Sequence, residues 1–269
     1  SFQEAFAGRF LFDLFIPAWR CPYMERVGTL GDGGKWVASL GRLRALGRNC
    51  TVMSFGAGTD ISFESAVMRA TDCTVYLADP TVNLAGMVRT WRETAPPGKH
   101  GRLHMVPYGL RGDPEAPRAP PSKGTAENAS DDDFDDFPEK PRPFSLGGPD
   151  GVTAVANAKP LDEIAAELGV RAVSLLKVDV EGAEWSAFKR LTSQRKGILD
   201  AVDEILVEVH RPEQDTCRAP ASCDVRYAVD FFSALEARGF RIFSYEPNHT
   251  GSVAFAEFAL IRRTVPYVQ

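Results

Sequence analysis

Five short apolar runs, Thr51–Phe55, Thr74–Ala78, Leu103–Tyr108, Val173–Val180 and Glu204–Val209, recur along the chain, each separated from the next by a stretch of helical periodicity: Ser62–Ala70, Val82–Thr94, Leu161–Leu168 and Ala183–Leu191. This alternation constrains the fold more than any other feature. Parallel strands need a crossover of a dozen or more residues, and helices placed there cover both faces of the sheet. The sequence therefore predicts an α/β protein with a mostly parallel sheet. After a helix over Ala228–Arg238, stopped by Gly239, two further strands, Phe240–Tyr245 and Phe255–Arg262, follow without a helix between them and are expected to pair antiparallel. Ser62 is the expected N-cap of its helix. Phe2, Phe6, Phe10 and Leu14 share one face of an opening amphipathic helix over residues 2–16, a core stripe ended by Pro17.

The 269 residues, 44% apolar and 25% charged, suit one large globular domain with a full core. The formal charge of −5 is unevenly spread. Residues 111–150 hold ten acidic and five basic side chains and eight of the nineteen prolines, so the other 229 residues are balanced. With the run Asp131–Asp136 and few aliphatic residues, that segment reads as a solvated insertion loop. A Ca²⁺ loop is the other reading of the run, but it lacks the glycine and distal glutamate of an EF-hand.

No stretch approaches the roughly 18 apolar residues of a membrane span. No membrane contact is expected of this segment. The sequence begins at Ser1 rather than Met, which is compatible with a leader or anchor removed upstream and with a secretory or Golgi location, or otherwise a cytoplasmic one. Cys50 and Cys73 each open a Cys-Thr-Val strand, six residues before Gly56 and Asp79. On neighbouring parallel strands their sulfurs come side by side, as a disulfide or as two buried thiols. Cys217 and Cys223 could close a small disulfide ring, and Asn49, Asn128 and Asn248 open Asn-X-Ser/Thr triplets, the last two in loops.

Ligands of open α/β sheets bind outside the carboxyl ends of the strands. There the first strand delivers Gly56-Ala57-Gly58-Thr59-Asp60, a tight turn that lets backbone approach a ligand. Ile61 stands where a dinucleotide fingerprint has its third glycine. Asp79 ends the second strand, 23 residues after Gly56, at the spacing of a ribose-binding carboxylate. The pair points to an adenosine-type ligand without a pyrophosphate. Farther on, Leu176-Lys177-Val178-Asp179-Val180-Glu181 crowds ionisable residues at the end of an apolar strand, where burial is costly unless they are paired or used. Period-2 alternation puts Lys177, Asp179 and Glu181 on one face if the strand runs that far. Glu208 and His210 end the next strand, so Asp179, Glu208 and His210 can converge at one rim. The competing structural reading pairs Lys177 with Glu208 and leaves His210 as a surface cap.

The run Leu176–Glu184, followed by Ile205–His210, resembles the FkbM-type S-adenosylmethionine-dependent methyltransferases. Gly31–Trp36, Ser54–Gly58, Ser62–Glu64 and Asp79–Thr81 are similar, more narrowly, to the methyltransferase-like branch that includes animal type II membrane proteins. The resemblance spans residues 20 to 263 apart from the acidic insertion, which has no counterpart in it. It implies a Rossmann-like seven-stranded class I sheet with an antiparallel C-terminal strand, and S-adenosylmethionine as cofactor. Carried onto this chain, the cofactor contacts are Gly56, Ala57, Gly58, Asp60, Glu64, Asp79, Pro80, Gly109, Asp179 and Lys35. Asp60 is the expected partner of the methionine ammonium.

The expected reaction is methyl transfer to a hydroxyl of a small molecule or glycan. His210, whose unperturbed pKa suits a base, is the first proton acceptor and Asp179 the second, with Glu208 and Lys177 completing the catalytic group. Asp179, Glu208 and His210 also have the ligand types for a divalent cation, Mg²⁺ or Mn²⁺. Without a basic stripe interleaved with aromatics, no nucleic-acid partner is expected. The alternatives are a cofactor-binding protein of the same fold that has lost catalysis, and a nicotinamide oxidoreductase, against which the missing third glycine stands.

Overall fold

A computed structural model describes residues 11–31, 33–79, 84–106, 108–112, 158–210, 220–247 and 255–266, without the side chains of 84, 85, 87, 92, 94, 100 and 220–224. A seven-stranded sheet organises them. Its strands are β3 (Thr51–Phe55), β4 (Thr74–Ala78), β5 (Leu103–Val106), β8 (Leu175–Val178), β9 (Glu204–His210), β10 (Phe240–Pro247) and β11 (Phe255–Arg262). In space they run β10-β11-β9-β8-β3-β4-β5, and only β11 lies antiparallel to its neighbours. The predicted α/β class and antiparallel C-terminal pair are both observed. The order reverses between β3 and β8, and the crevice at such a switch point is where this architecture takes ligands.

Helices α1 (Leu40–Leu46), α2 (Ser62–Ala70) and α3 (Leu84–Thr94) cover one face, burying Leu43, Phe63, Val67 and Trp91 against Val52, Val75 and Leu206. On the other face lie α4 (Leu161–Glu167), α5 (Glu184–Ser193) and α6 (Pro220–Ala237), with Ile164, Phe188, Phe231 and Leu235 packed on Met53, Leu176, Val207 and Phe258. Burial from both sides explains why the central strands read as continuous apolar runs rather than alternating ones. α6 starts eight residues before the expected Ala228, with Pro220 in its first turn, where a missing N–H costs nothing.

Other boundaries moved for local reasons. Among the described residues the N-terminal segment has a single 3₁₀ turn at Phe12–Leu14. Phe12 is buried edge-on to Phe258, while Leu14, expected in the core stripe, is 60% exposed. Phe2, Phe6 and Phe10 fall outside the described residues. Gly28–Gly34 is the connection of an antiparallel hairpin, β1 (Glu25–Val27) with β2 (Lys35–Val37). α1 was not expected; Ser39 caps it by accepting a hydrogen bond from Arg42 N at 3.1 Å. Ser62 is the first helical residue of α2 rather than its cap, and Asp60 Oδ1 accepts the hydrogen bond from Ser62 N at 2.7 Å.

The predicted strand Leu103–Tyr108 ends at Val106. The chain then forms β6 (Gly109–Leu110), which pairs in parallel with β7 (Ala158–Lys159) as a separate two-residue ladder. The acidic segment predicted between them lies outside the described residues apart from Arg111 and Gly112.

Cys50 and Cys73 form a disulfide, Cα–Cα 4.4 Å apart, both fully buried. The register of β3 with β4 pairs Thr51 with Thr74, so the preceding residues are brought side by side as expected. Cys21 is buried and lies outside this disulfide. Cys217 and the side chain of Cys223 are outside the described residues, as are Asn128 and Asn248; Asn49 is exposed.

Candidate functional site

The turn after β3 is held by its neighbours. Gly56 adopts φ 79°, donates to Ala78 O at 2.9 Å, and lies so close to the next strand that a β-carbon would be 1.5 Å from Asp179 O. Only glycine fits there. Gly58, at φ 54°, faces open space and donates its N–H to Asp79 Oδ2 at 2.7 Å. Asp79, buried at the end of β4, thus has one carboxylate oxygen fixed by the turn, and the adenosine-binding pair predicted from spacing is brought together. This open, glycine-lined turn beside a strand-terminal carboxylate fits a nucleoside-bearing cofactor. Ala57 points into the core.

Asp60 is drawn to the hairpin instead of standing free. Its Oδ2 accepts from Thr29 Oγ1 at 2.9 Å and its Oδ1 from Ser62 N, which ties the β1–β2 connection to the first turn of α2. A β-carbon on Gly33 would lie 2.0 Å from the same Oδ2, so a glycine lets the loop close on the carboxylate. Burial opposes ionisation of Asp60, but the bonds from Ser62 and Thr29 outweigh it and hold the carboxyl below its usual range.

Lys177 and Glu64 lie under the turn. Lys177 Nζ donates to Gly56 O at 2.8 Å and stands 3.6 Å from Glu64 Oε1, which accepts from Ser54 Oγ at 2.5 Å. Glu64 is fully buried, so the cofactor contact expected of it is not available at the surface; its carboxylate supports Lys177 from below. Lys177 likewise pairs with Glu64 and not with Glu208, as the structural reading of the sequence had it.

Asp179, Glu208 and His210 do converge, with one ligand atom from each within 4.8 Å of the others. β8 and β9 are parallel neighbours and place the three at the same carboxyl end. β8 ends at Val178, however, so Glu181 does not continue the strand face. It turns at φ 53°, the one non-glycine residue of positive φ among those described. Its side chain is 72% exposed and reaches His210 Nε2 at 3.4 Å. Glu184, fully buried at the start of α5, accepts from Val180 N at 2.8 Å and Gly182 N at 2.9 Å and meets His210 Nδ1 at 3.1 Å. Trp185 Nε1 donates to His210 O at 2.8 Å. Burial alone would lower the pKa of His210, but bonds to Glu184 and Glu208 push it up to about 11. The carboxylates at both ring nitrogens thus favour the charged imidazolium, an environment different from the unperturbed base that the sequence suggested.

One participant, Glu257, escaped the sequence reading, and another, Lys35, takes a place other than the one expected. Glu257 stands opposite Glu208 in the β11–β9 ladder, a like-charge pairing that needs a counter-ion. Lys35, expected at the cofactor, supplies it: the buried ammonium hydrogen-bonds Glu257 Oε1 and stands 3.6 Å from Glu208 Oε2 and 3.7 Å from Asp179 Oδ2. Burial disfavours this charge, yet Glu257, Asp179 and Glu208 raise the pKa of Lys35 above its ordinary range. Burial and the proximity of Glu208 push Glu257 well up. Burial acts the same way on Glu208, but His210 draws its carboxyl down to about 2. Burial pushes the Asp179 carboxyl up to about 6 against the pull of Lys177. Glu257 was detectable only as an isolated ionisable residue in an apolar strand. Gly109 is buried in its ladder with Ala158, and Pro80 lies outside the described residues.

A family model described as a methyltransferase domain matches residues 3–88 and 150–262, roughly three quarters of the chain. The chain belongs to this methyltransferase-domain family. S-adenosylmethionine is accordingly its cofactor, and the fold is the Rossmann-like class I fold of such enzymes. Solved structures similar to this methyltransferase include a Methanococcus jannaschii fibrillarin pre-rRNA processing protein, at 11% identity over 92% of this chain and 86% of that one, TM-score 0.42. An Aeropyrum pernix fibrillarin with natively bound S-adenosyl-L-methionine matches at 9% identity over 91% and 86%, TM-score 0.39. The antibiotic-resistance methyltransferase Kmr matches at 16% over 88% and 99%, TM-score 0.40. No curated protein matches the methyltransferase. No helix among its described residues is long and apolar enough to cross a membrane.

Proposed function

We propose that the protein transfers a methyl group to a hydroxyl of a small molecule or glycan, along the lines of the FkbM-type enzymes that its Leu176–Glu184 and Ile205–His210 text resembles. The observation that carries this reading is the meeting of Asp179, Glu208 and His210 beside the glycine turn. S-adenosylmethionine supplies an electrophilic methyl group on a sulfonium. Asp79 and the Gly56–Gly58 backbone would hold its nucleoside, with Lys177 and Glu64 fixing the Gly56 carbonyl from below. An attacking hydroxyl must lose its proton as its oxygen takes the methyl carbon, so a fixed acceptor for that proton is required. Both ring nitrogens of His210 already face carboxylates. We therefore assign proton removal to Asp179 by its position, and to His210 the neutralisation of the surrounding carboxylates.

Nucleic acid is the less favoured acceptor because Asp179, Glu181, Glu184, Glu208, Glu257 and Glu64 outnumber Lys35, Lys177 and His210 at this end of the sheet. Phosphates would meet repulsion there. A screen of free sugars, glycans and hydroxylated small molecules for methyl transfer tests the reading. Asp179→Asn is expected to lower turnover at least a hundredfold with S-adenosylhomocysteine binding retained. Unchanged transfer to the true acceptor in both Asp179→Asn and His210→Ala would sink the assignment.

A further inference from the structure

At the same rim, and resting only on the cofactor lying beside it, we propose that Asp179, Glu208 and His210 form a binding site for a divalent transition-metal ion of the Mn²⁺ or Zn²⁺ type, which on binding takes over from the His210 proton the neutralisation of these carboxylates. Two carboxylate oxygens and an imidazole nitrogen, one from each residue, lie within 4.8 Å of one another. Only small side-chain movements are needed to close them around one ion. The combination of carboxylate and imidazole suits Mn²⁺ or Zn²⁺ better than Ca²⁺, which takes oxygen ligands.

A second observation concerns Glu208, which is 4% exposed: no N–H or hydroxyl group donates to its Oε2, and the carboxyl of Glu257 is its neighbour across the ladder. A buried carboxylate oxygen left in that condition is costly in a low-dielectric interior. Lys35 stands 3.6 Å from Glu208 Oε2 and 3.7 Å from Asp179 Oδ2, while its hydrogen bond goes to Glu257. Those two distances exceed hydrogen-bond range, so Lys35 lowers the local negative charge without taking up the lone pairs.

His210 is arranged as metal-bound histidines are. Its Nδ1 is held by buried Glu184, itself fixed by the N–H groups of Val180 and Gly182, which leaves Nε2 toward Glu208. Carboxylate support of the distal ring nitrogen orients an imidazole for a metal and raises its basicity as a ligand. Binding exchanges the Nε2 proton for the ion and releases it to solvent. Lys35 acts as a competing internal cation, so its removal should favour the metal.

The test titrates the full chain with Mn²⁺ alone, read by electron paramagnetic resonance of the free ion, and repeats the titration with Zn²⁺ by calorimetry. One ion per chain is expected. Asp179→Asn and His210→Gln should weaken binding at least tenfold, and Glu184→Gln, which touches the ligand but not the ion, by 10- to 100-fold. Lys35→Met should tighten it severalfold. S-adenosylhomocysteine binding, which uses the Gly56–Asp79 end, reports on each variant's fold and separately on the cofactor reading. Absence of stoichiometric binding of either ion to the wild-type chain overturns the proposal even if methyl transfer is found. Equal affinity in Asp179→Asn and wild type overturns it too, and leaves Lys35 as the cation for which these carboxylates are built.

Discussion

A methyl group added at Gly56 would enter the space of the Asp179 carbonyl, at a φ of 79° that a side chain resists. Gly56→Ala is therefore expected to abolish S-adenosylhomocysteine binding in calorimetry and to destabilise the fold by more than the ~1 kcal/mol typical of point changes. Asp60→Ala should act elsewhere. It removes both the acceptor of the first N–H of α2 and the tie to Thr29, at a cost of about 1 kcal/mol at pH 7 in denaturant unfolding. The pH dependence has a definite sign. A carboxyl whose folded pKa is depressed contributes stability above its unfolded value near 4, and loses it as pH falls through the folded value. The difference between wild type and Asp60→Ala should thus shrink below about pH 4; a gap that widened on acidification would contradict the hydrogen-bonded ionised form.

The residues legible from sequence share one property: Gly56, Asp79, Asp179, Glu208 and His210 each interrupt or end an apolar run, where an ionisable group or glycine is expensive without a purpose. Lys35 and Glu257 were not legible in their true role, because their meeting depends on a hairpin folding over the sheet from 222 residues away. Nor was Glu64, whose place on α2 said nothing of its complete burial beneath the turn. His210 was found but its protonation was misjudged, since that depends on Glu184 and Glu181 arriving from the next turn and helix.

Among the elements, β3 and β4 are joined twice, by ladder hydrogen bonds and by the Cys50–Cys73 disulfide at their amino ends. Closing a loop of this length in the unfolded chain is worth about 3 kcal/mol. Cys50→Ala/Cys73→Ala should lower stability by an amount of that order in urea unfolding, with both cysteines substituted so that no lone buried thiol confuses the result. Since Gly56 and Asp79 are carried at the other ends of these strands, their register should survive, and cofactor affinity should change far less than stability. The strand alternation was readable because each central strand is buried on both faces; α1 was not, because seven residues containing Arg42 and Arg44 carry little periodic signal. Arg42 is in fact buried, with Nη2 donating to Glu204 Oε2 at 2.7 Å and to Ser174 O at 3.0 Å. That pair fastens α1 to the sheet end opposite the site.

At the scale of the whole molecule, the net charge of −5 belongs to residues 111–150, so the other 229 residues are balanced and the acidic site is a local arrangement. Replacing residues 113–157 with a short glycine–serine linker should leave S-adenosylhomocysteine affinity within a few-fold of wild type, because loop-closure entropy changes by only ~0.6 kcal/mol per halving of length. Loss of binding would make that stretch part of the site.

The β6–β7 ladder adds a consequence for how such a chain can vary over generations. Gly109–Leu110 and Ala158–Lys159 are hydrogen-bonded partners, so the chain returns to the place it left. Whatever length of text is written between them, neither β5 nor α4 has to move to accommodate it. Slippage or insertion in the gene should be tolerated there and rejected between β8 and α5, where Asp179, Glu181 and Glu184 all meet other parts of the site within a few residues of one another. Length differences among related chains are expected to gather in the first interval, and a related chain with extra residues in the second should have lost the His210 contacts.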